Sequence, residues 1–216
     1  TEVPGDIRTN VTSLYLTNNQ ITGISKQDFN DKYPALYGLY LTRNKISSME
    51  SGCFKGTVLQ SIFIGYNLLD YFPDFREVKT TLRGIGLKQN RISVIKREDV
   101  SYLASLQSLY LDGNPVTCLP DLSQTLPSLT WLGLLEISFE CCDRTAWMKE
   151  ILFLRIDSTP CHSPPSWTKV QFSMINKTQL EETDCQGECF NLDQWVLPFI
   201  LLNLYLAFRL CLIKRR

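Results

Sequence analysis

Cys141 and Cys142 stand side by side in residues 137–147, which read ISFECCDRTAW. Thiols attack as nucleophiles, ligate metals or form disulfides, and their spacing separates these roles. Neighbouring cysteines that bond each other close a small, strained ring, so each is expected to find a partner elsewhere. Cys118, Cys161, Cys185 and Cys189 fall in the same third of the chain. No C-x-x-C pairs with another C-x-x-C, so zinc spacing is absent. Cys53 lies apart and reads as a small buried hydrophobe.

The chain has one histidine, His162. That leaves little for a histidine-based triad or a multi-histidine metal site. No phosphate loop, G-x-G-x-x-G, H-E-x-x-H or G-x-S-x-G occurs. No catalytic residue, metal or cofactor is therefore expected, and the chain reads as a non-enzyme. Lysine plus arginine and aspartate plus glutamate both number 22, so no basic field points to nucleic acid. With 216 residues, 44% hydrophobic, a packed core is expected. Asn10-Val11-Thr12 and Asn176-Lys177-Thr178 are N-glycosylation acceptors. Clustered cysteines with such acceptors point to the secretory route and to structural disulfides. The chain begins with Thr1 and shows no signal peptide, so it reads as a mature product or a fragment.

The elements that hold the cysteines repeat. The pattern L-x-x-L-x-L-x-x-N-x-L fits Val11-Leu14-Leu16-Asn19-Ile21 and Leu36-Leu39-Leu41-Asn44-Ile46. It fits again at Leu59-Ile62-Ile64-Asn67-Leu69, Leu82-Ile85-Leu87-Asn90-Ile92 and Leu106-Leu109-Leu111-Asn114-Val116. A sixth copy begins Leu129-Leu132-Leu134, with Ile137 in place of the asparagine. The copies start 23 to 25 residues apart. The L-x-L centre alternates, so each copy is a short strand with one aliphatic face. The asparagine sits where the strand ends, and its amide can donate to and accept from backbone groups left there. Ten residues after the asparagine come Phe29, Phe54 and later Val100, which would fill the back of the coil. One coil cannot bury its own aliphatic face, so stability must come from stacking.

These motifs resemble extracellular leucine-rich repeat proteins such as Toll-like receptors and variable lymphocyte receptors, over about residues 1–185. The resemblance implies an α/β solenoid, a horseshoe with a parallel sheet on its concave side. It assigns residues 1–136 to about six repeats, 137–189 to a cysteine-rich C-terminal cap and 190–216 to a hydrophobic tail. The opening TEVPGDIRTNVTSLYL resembles the end of an N-terminal cap that lacks its usual cysteines. That leaves two expectations: a cut chain, or a first coil open to solvent. FECCDRTAWMKEIL resembles the C-terminal flank, with Trp147, Met148, Ile151 and Leu152 on one face of a closing helix. Family pairing implies Cys141–Cys161 and Cys142–Cys185. A second pairing stays open, Cys118–Cys141 with Cys142 bonded into the cap. Cys118 follows Asn114 by four residues, as Cys141 follows Ile137, and adjacent strands lie about 4.8 Å apart. A disulfide needs Cα atoms roughly 4.4–6.8 Å apart. Cys189 makes the cluster even in number.

The tail WVLPFILLNLYLAFRLCLIKRR is apolar from Trp195 to Ile213. As a helix these residues span roughly 28 Å, close to the bilayer core. Lys214, Arg215 and Arg216 would face the cytoplasm and Trp195 the opposite interface, while Asn203 and Arg209 count against a span. A membrane helix at 195–213 is the preferred expectation. A cleaved glycolipid-anchor signal and a helix packed on the cap are the alternatives. Only three residues follow the span, so signalling would need a co-receptor.

The residue between the last two aliphatics of each copy points away from the core. These are Tyr15, Tyr40, Phe63, Gly86, Tyr110 and Gly133. Exposed aromatic columns favour protein interfaces. Arg43, Tyr66 and Gln89 flank the column, with Lys88 and Asp112 beside it. A protein or microbial ligand on this face is expected. Two functions follow: a cell-surface, single-pass receptor or adhesion protein, or a secreted matrix or decoy protein.

Overall fold

The computed structural model describes residues 2–117, 119–138, 140–151, 153–158 and 160–185. Among the described residues nine strands follow in chain order: β1 Ser13–Tyr15, β2 Gly23–Ile24, β3 Gly38–Tyr40, β4 Ser48–Met49, β5 Ser61–Phe63, β6 Gly84–Gly86, β7 Ser108–Tyr110, β8 Trp131–Leu134 and β9 Arg155–Ser158. Seven of them form one parallel sheet in the order β1-β3-β5-β6-β7-β8-β9, and β2 pairs with β4 beside it. Sequential coils are thus sheet neighbours, as stacking requires.

The register is strict. Leu14, Leu39, Ile62, Ile85, Leu109 and Leu132 pair across the sheet. All six are buried, together with Leu16, Leu41, Ile64, Leu87, Leu111 and Leu134 two positions on. Period-two alternation sends both sets inward. The first coil is the most exposed, with Leu14 at 9%, yet Val3 and Ile7 pack over the core there. The first coil is thus partly covered by residues before β1 and remains the most exposed of the stack.

At the strand ends of the second to fifth coils the asparagine side chain ties two coils. Asn67 donates to the Ile64 carbonyl of its own coil at 2.9 Å and to the Leu41 carbonyl of the preceding coil at 3.0 Å. Its Oδ1 accepts from the Ile46 amide at 2.9 Å. Asn44, Asn90 and Asn114 repeat all three contacts. These four are buried. Asn19, in the first coil, is exposed and donates only within its own coil. The residue before each asparagine is left-handed: Asn18, Arg43, Tyr66, Gln89 and Gly113 have φ between 53° and 66°. That twist continues the ladder, since the Arg43, Tyr66, Gln89 and Gly113 amides each donate to the next coil. The sixth copy keeps the turn, with Glu136 at φ 58°, although Ile137 has replaced the asparagine and is buried.

The coil backs carry the aromatic spine. The short helices α1 Lys26–Phe29 and α2 Arg97–Val100 deliver Phe29 and Val100 to the core. Each carries an aspartate as its third residue, Asp28 or Asp99, accepting the amide three residues earlier. Phe29 and Phe54 lie 5.8 Å apart and Phe54 and Phe75 6.1 Å. Phe75 fills the third coil, where spacing alone points to Glu77.

The cap departs from expectation in two ways. The closing helix is a 3-10 helix, Asp143–Lys149, which buries Trp147 and Met148 but ends before Ile151. Leu152 lies outside the described residues. Within the cap, β9 adds a seventh strand, pairing Ile156 with Leu132. The five-residue helix α3, Lys177–Glu181, packs on the 3-10 helix and buries Leu180.

Cys141 bonds Cys161 and Cys142 bonds Cys185, with Cα separations of 5.6 and 5.2 Å. The pairing of Cys118 with Cys141 is thereby corrected, because the Cys141 sulfur turns toward the cap. Cys118 and Cys189 lie outside the described residues. So does the expected span at 195–213. Among the described residues no helix is long and apolar enough to cross a membrane. Cys53 is a buried free thiol whose pKa burial pushes up to about 12, so it stays protonated and inert.

Replacing Asn67 by alanine orphans the Ile46 amide and removes the donor to the Leu41 and Ile64 carbonyls. The expected loss is about 3 kcal/mol of unfolding free energy. Asn19→Ala, at the exposed end, should cost under about 1 kcal/mol. Urea denaturation of both variants measures this, and equal losses would contradict the two-coil role of the buried amide.

Candidate ligand-binding face

The outward face of the sheet is organised by the same register. One row runs Tyr15, Tyr40, Phe63, Gly86, Tyr110, Gly133 and Asp157. Tyr15 and Tyr40 stack at 4.5 Å and 6°, and Tyr40 and Phe63 at 5.6 Å and 8°. Gly86 interrupts the row, and Phe63 leans across it toward Tyr110, 6.4 Å away. A Cβ on Gly86 would lie 2.4 Å from the Phe63 ring, so this contact requires glycine. Gly133 plays the same part for Asp112, whose carboxylate lies 2.5 Å from where a Cβ would be.

The rings therefore pack on one another and still face solvent. Tyr15 is 71% exposed and Tyr66 49%. Burial and the neighbouring Tyr15 hydroxyl raise the Tyr40 pKa above the ordinary 10.0.

The structure places the expected flanking residues around the row. The Arg43 guanidinium sits 5.3 Å over the Tyr66 ring, and the Lys88 ammonium 5.0 Å over Tyr110. Lys88 also pairs with Asp112 at 3.3 Å, and Asp112 accepts the Leu135 amide at 3.2 Å. Gln89 reaches over Gly113 to donate to Glu136.

Sequence reasoning missed two parts of this face. Trp131, one strand position out of the row, packs on Tyr110 at 6.4 Å. Its column otherwise holds Ser13, Gly38, Ser61, Gly84 and Ser108, so the register alone could have marked it. Gly65, between Thr42 and Lys88 in the next column, opens a recess of ≈ 120 Å³ bounded by Phe63, Tyr66, Gly86, Lys88 and Tyr110.

The expected glycosylation sites are both exposed. Asn176 uses its Oδ1 to cap α3, accepting from the Gln179 amide at 2.9 Å, so the attachment nitrogen is not the capping atom. Glu140, Cys142 and Cys185 bring ligand-type atoms within 4.8 Å of one another. Both sulfurs are locked in the disulfide, which leaves no thiolate for a metal.

Comparison with known proteins agrees with this geometry. The family described as "Leucine rich repeat" matches residues 9–69. The chain is a leucine-rich repeat protein. It is similar to mouse podocan, 30% identical over 135 residues, covering 61% of this chain and 21% of podocan. It is similar to bovine asporin, 30% identical over 118 residues, covering 54% of this chain and 31% of asporin. Human Toll-like receptor 8 is 26% identical over 181 residues, covering 72% of this chain and 17% of the receptor. This leucine-rich repeat chain thus spans a third or less of these relatives.

The raised Tyr40 pKa has a sign. Stability linked to the neutral hydroxyl is present below pH 10 and lost as pH rises through the folded pKa. An ultraviolet difference titration should show Tyr40 among three tyrosines that ionise late, with Tyr33 and Tyr102, and Tyr15→Phe should bring Tyr40 alone back toward the ordinary value. An unchanged titration curve in Tyr15→Phe would contradict the coupling.

Proposed function

We propose that this leucine-rich repeat protein is an extracellular recognition module that binds a protein ligand on the concave, outward face of its sheet. The observation that carries the reading is the aromatic row, part stacked and part exposed, held in one register and bridged across Gly86 by Phe63. Aromatic side chains bury much area at low entropic cost, and such anchors dominate interface energetics. The strands are fixed by inward aliphatics and buried asparagines, so the outward side chains are free to serve recognition. Binding rather than catalysis fits this face, which offers rings and paired charges but no nucleophile and base in contact.

Two disulfides and two exposed acceptor asparagines support an oxidising, extracellular location. One relative carries the word receptor in its name. We favour a cell-surface protein held by residues 195–213 and acting with a co-receptor, over a secreted matrix or decoy protein. A microbial ligand is the alternative to a host protein.

The full chain, produced in a secretory host, should capture a ligand from a panel of extracellular proteins. Tyr40→Ala combined with Tyr110→Ala should abolish that capture while circular dichroism stays unchanged. Normal capture by the double variant would sink the face assignment. Recovery of the chain only in detergent supports the tether, and recovery in the medium supports the secreted form.

A further inference from the structure

The recess at Gly65 narrows the chemistry of the ligand. Its floor is the backbone of Gly65 and Gly86, both buried, and its walls are Phe63, Tyr66 and Tyr110. A space of about 150 Å³ accepts a benzene ring, so a recess of ≈ 120 Å³ open to solvent suits one ring-sized side chain. Rings bounded by rings gain offset or edge contacts beyond simple burial.

An aromatic pocket can also cage a cation. Here the chain's own cations already hold those positions. Lys88 lies 5.0 Å over Tyr110 and Arg43 5.3 Å over Tyr66. An incoming ammonium or guanidinium would meet like charge at both rings. The carboxylates on the following coils are engaged. Asp112 is buried, pairing with Lys88 and accepting the Leu135 amide, and Glu136 accepts from Gln89. Lys88 meets Asp112 as an ion pair at 3.3 Å and its side chain stays 44% exposed, so ammonium donors remain for a second anion.

We propose that the recess takes an aromatic side chain from a protein ligand whose neighbouring residues are acidic, the ring entering between Phe63, Tyr66 and Tyr110 and the carboxylates meeting Lys88 and Arg43. This rests on the concave-face reading and specifies its ligand. The ring supplies buried area, and the paired charges supply register and discrimination against basic segments.

The test is selection of random twelve-residue displayed peptides on the full chain. The expected result is enrichment of an aromatic residue flanked by aspartate or glutamate. Affinity of the enriched peptides should fall at least tenfold on Arg43→Glu and on Lys88→Gln, and also in high salt. Arg43 is exposed, so its variant should fold, and an unchanged melting temperature checks this. Enrichment of basic or ring-free peptides, or no enrichment, overturns the proposal. Acidic-aromatic peptides that ignore Arg43→Glu and Lys88→Gln but are lost on Tyr15→Ala with Tyr40→Ala, two row residues outside the recess, overturn the recess alone, leaving the face assignment standing. Peptides indifferent to all four substitutions overturn both.

Discussion

Each strand of the main sheet is only three or four residues long, and each coil must then turn inside a packed stack. The turn leaves carbonyls and an amide facing the core, where water cannot reach them. An unpaired buried backbone group costs about as much as a lost hydrogen bond, roughly 1–3 kcal/mol. In the second to fifth coils one asparagine amide serves that need, donating to carbonyls of two coils and accepting an amide of the earlier one. The rest of the architecture depends on this contact. It sits beside a residue in the left-handed region, which non-glycine residues enter at about 1–2 kcal/mol, and Glu136 keeps that turn even where Ile137 replaces the asparagine. Arg43, Tyr66 and Gln89 accept that strain because their amides extend the ladder to the next coil.

The same contact explains where variation is tolerated. Aliphatics fill the inside and the amide satisfies the turn, so outward positions carry no structural duty beyond fitting a strand. They hold rings, glycines and charges instead. Glycine at 86 lets Phe63 cross to Tyr110, and glycine at 133 lets Asp112 lie flat beneath Lys88. The left-handed residues matter here as well. Tyr66 occupies a turn position yet borders the recess, and Arg43, in the matching turn, lies over its ring, so the strained turn supplies part of the surface.

Much of this was legible in the sequence. The L-x-x-L-x-L-x-x-N spacing gave the strands, the inward residues and the asparagine contacts, because period-two alternation and a fixed repeat leave few alternatives. The row Tyr15, Tyr40, Phe63 and Tyr110 followed from the same register. The cap was less legible. Strand β9 has a single aliphatic, Ile156, since its inner side meets the cap rather than another coil, so no L-x-L signal marks it. The closing helix winds as 3-10, which breaks the 3.6-residue face expected for Ile151. Phe75 fills the third coil from a different chain position because the spine selects for volume at a place in space. Disulfide partners could not be read by spacing alone: strand spacing allowed Cys118, family resemblance implied Cys161, and the direction of the Cys141 side chain decided. The recess at Gly65 was missed because it is made by an absent side chain.

The central claim is that each asparagine stabilises the coil before its own. Hydrogen–deuterium exchange on Asn90→Ala tests it most directly. Asn90 accepts the Leu69 amide at 3.1 Å, whereas the Ile21 amide is held by Asn44. The account predicts that exchange at Leu69 accelerates at least tenfold while Ile21 keeps its protection. Unchanged exchange at Leu69, or equal acceleration at both amides, would contradict it.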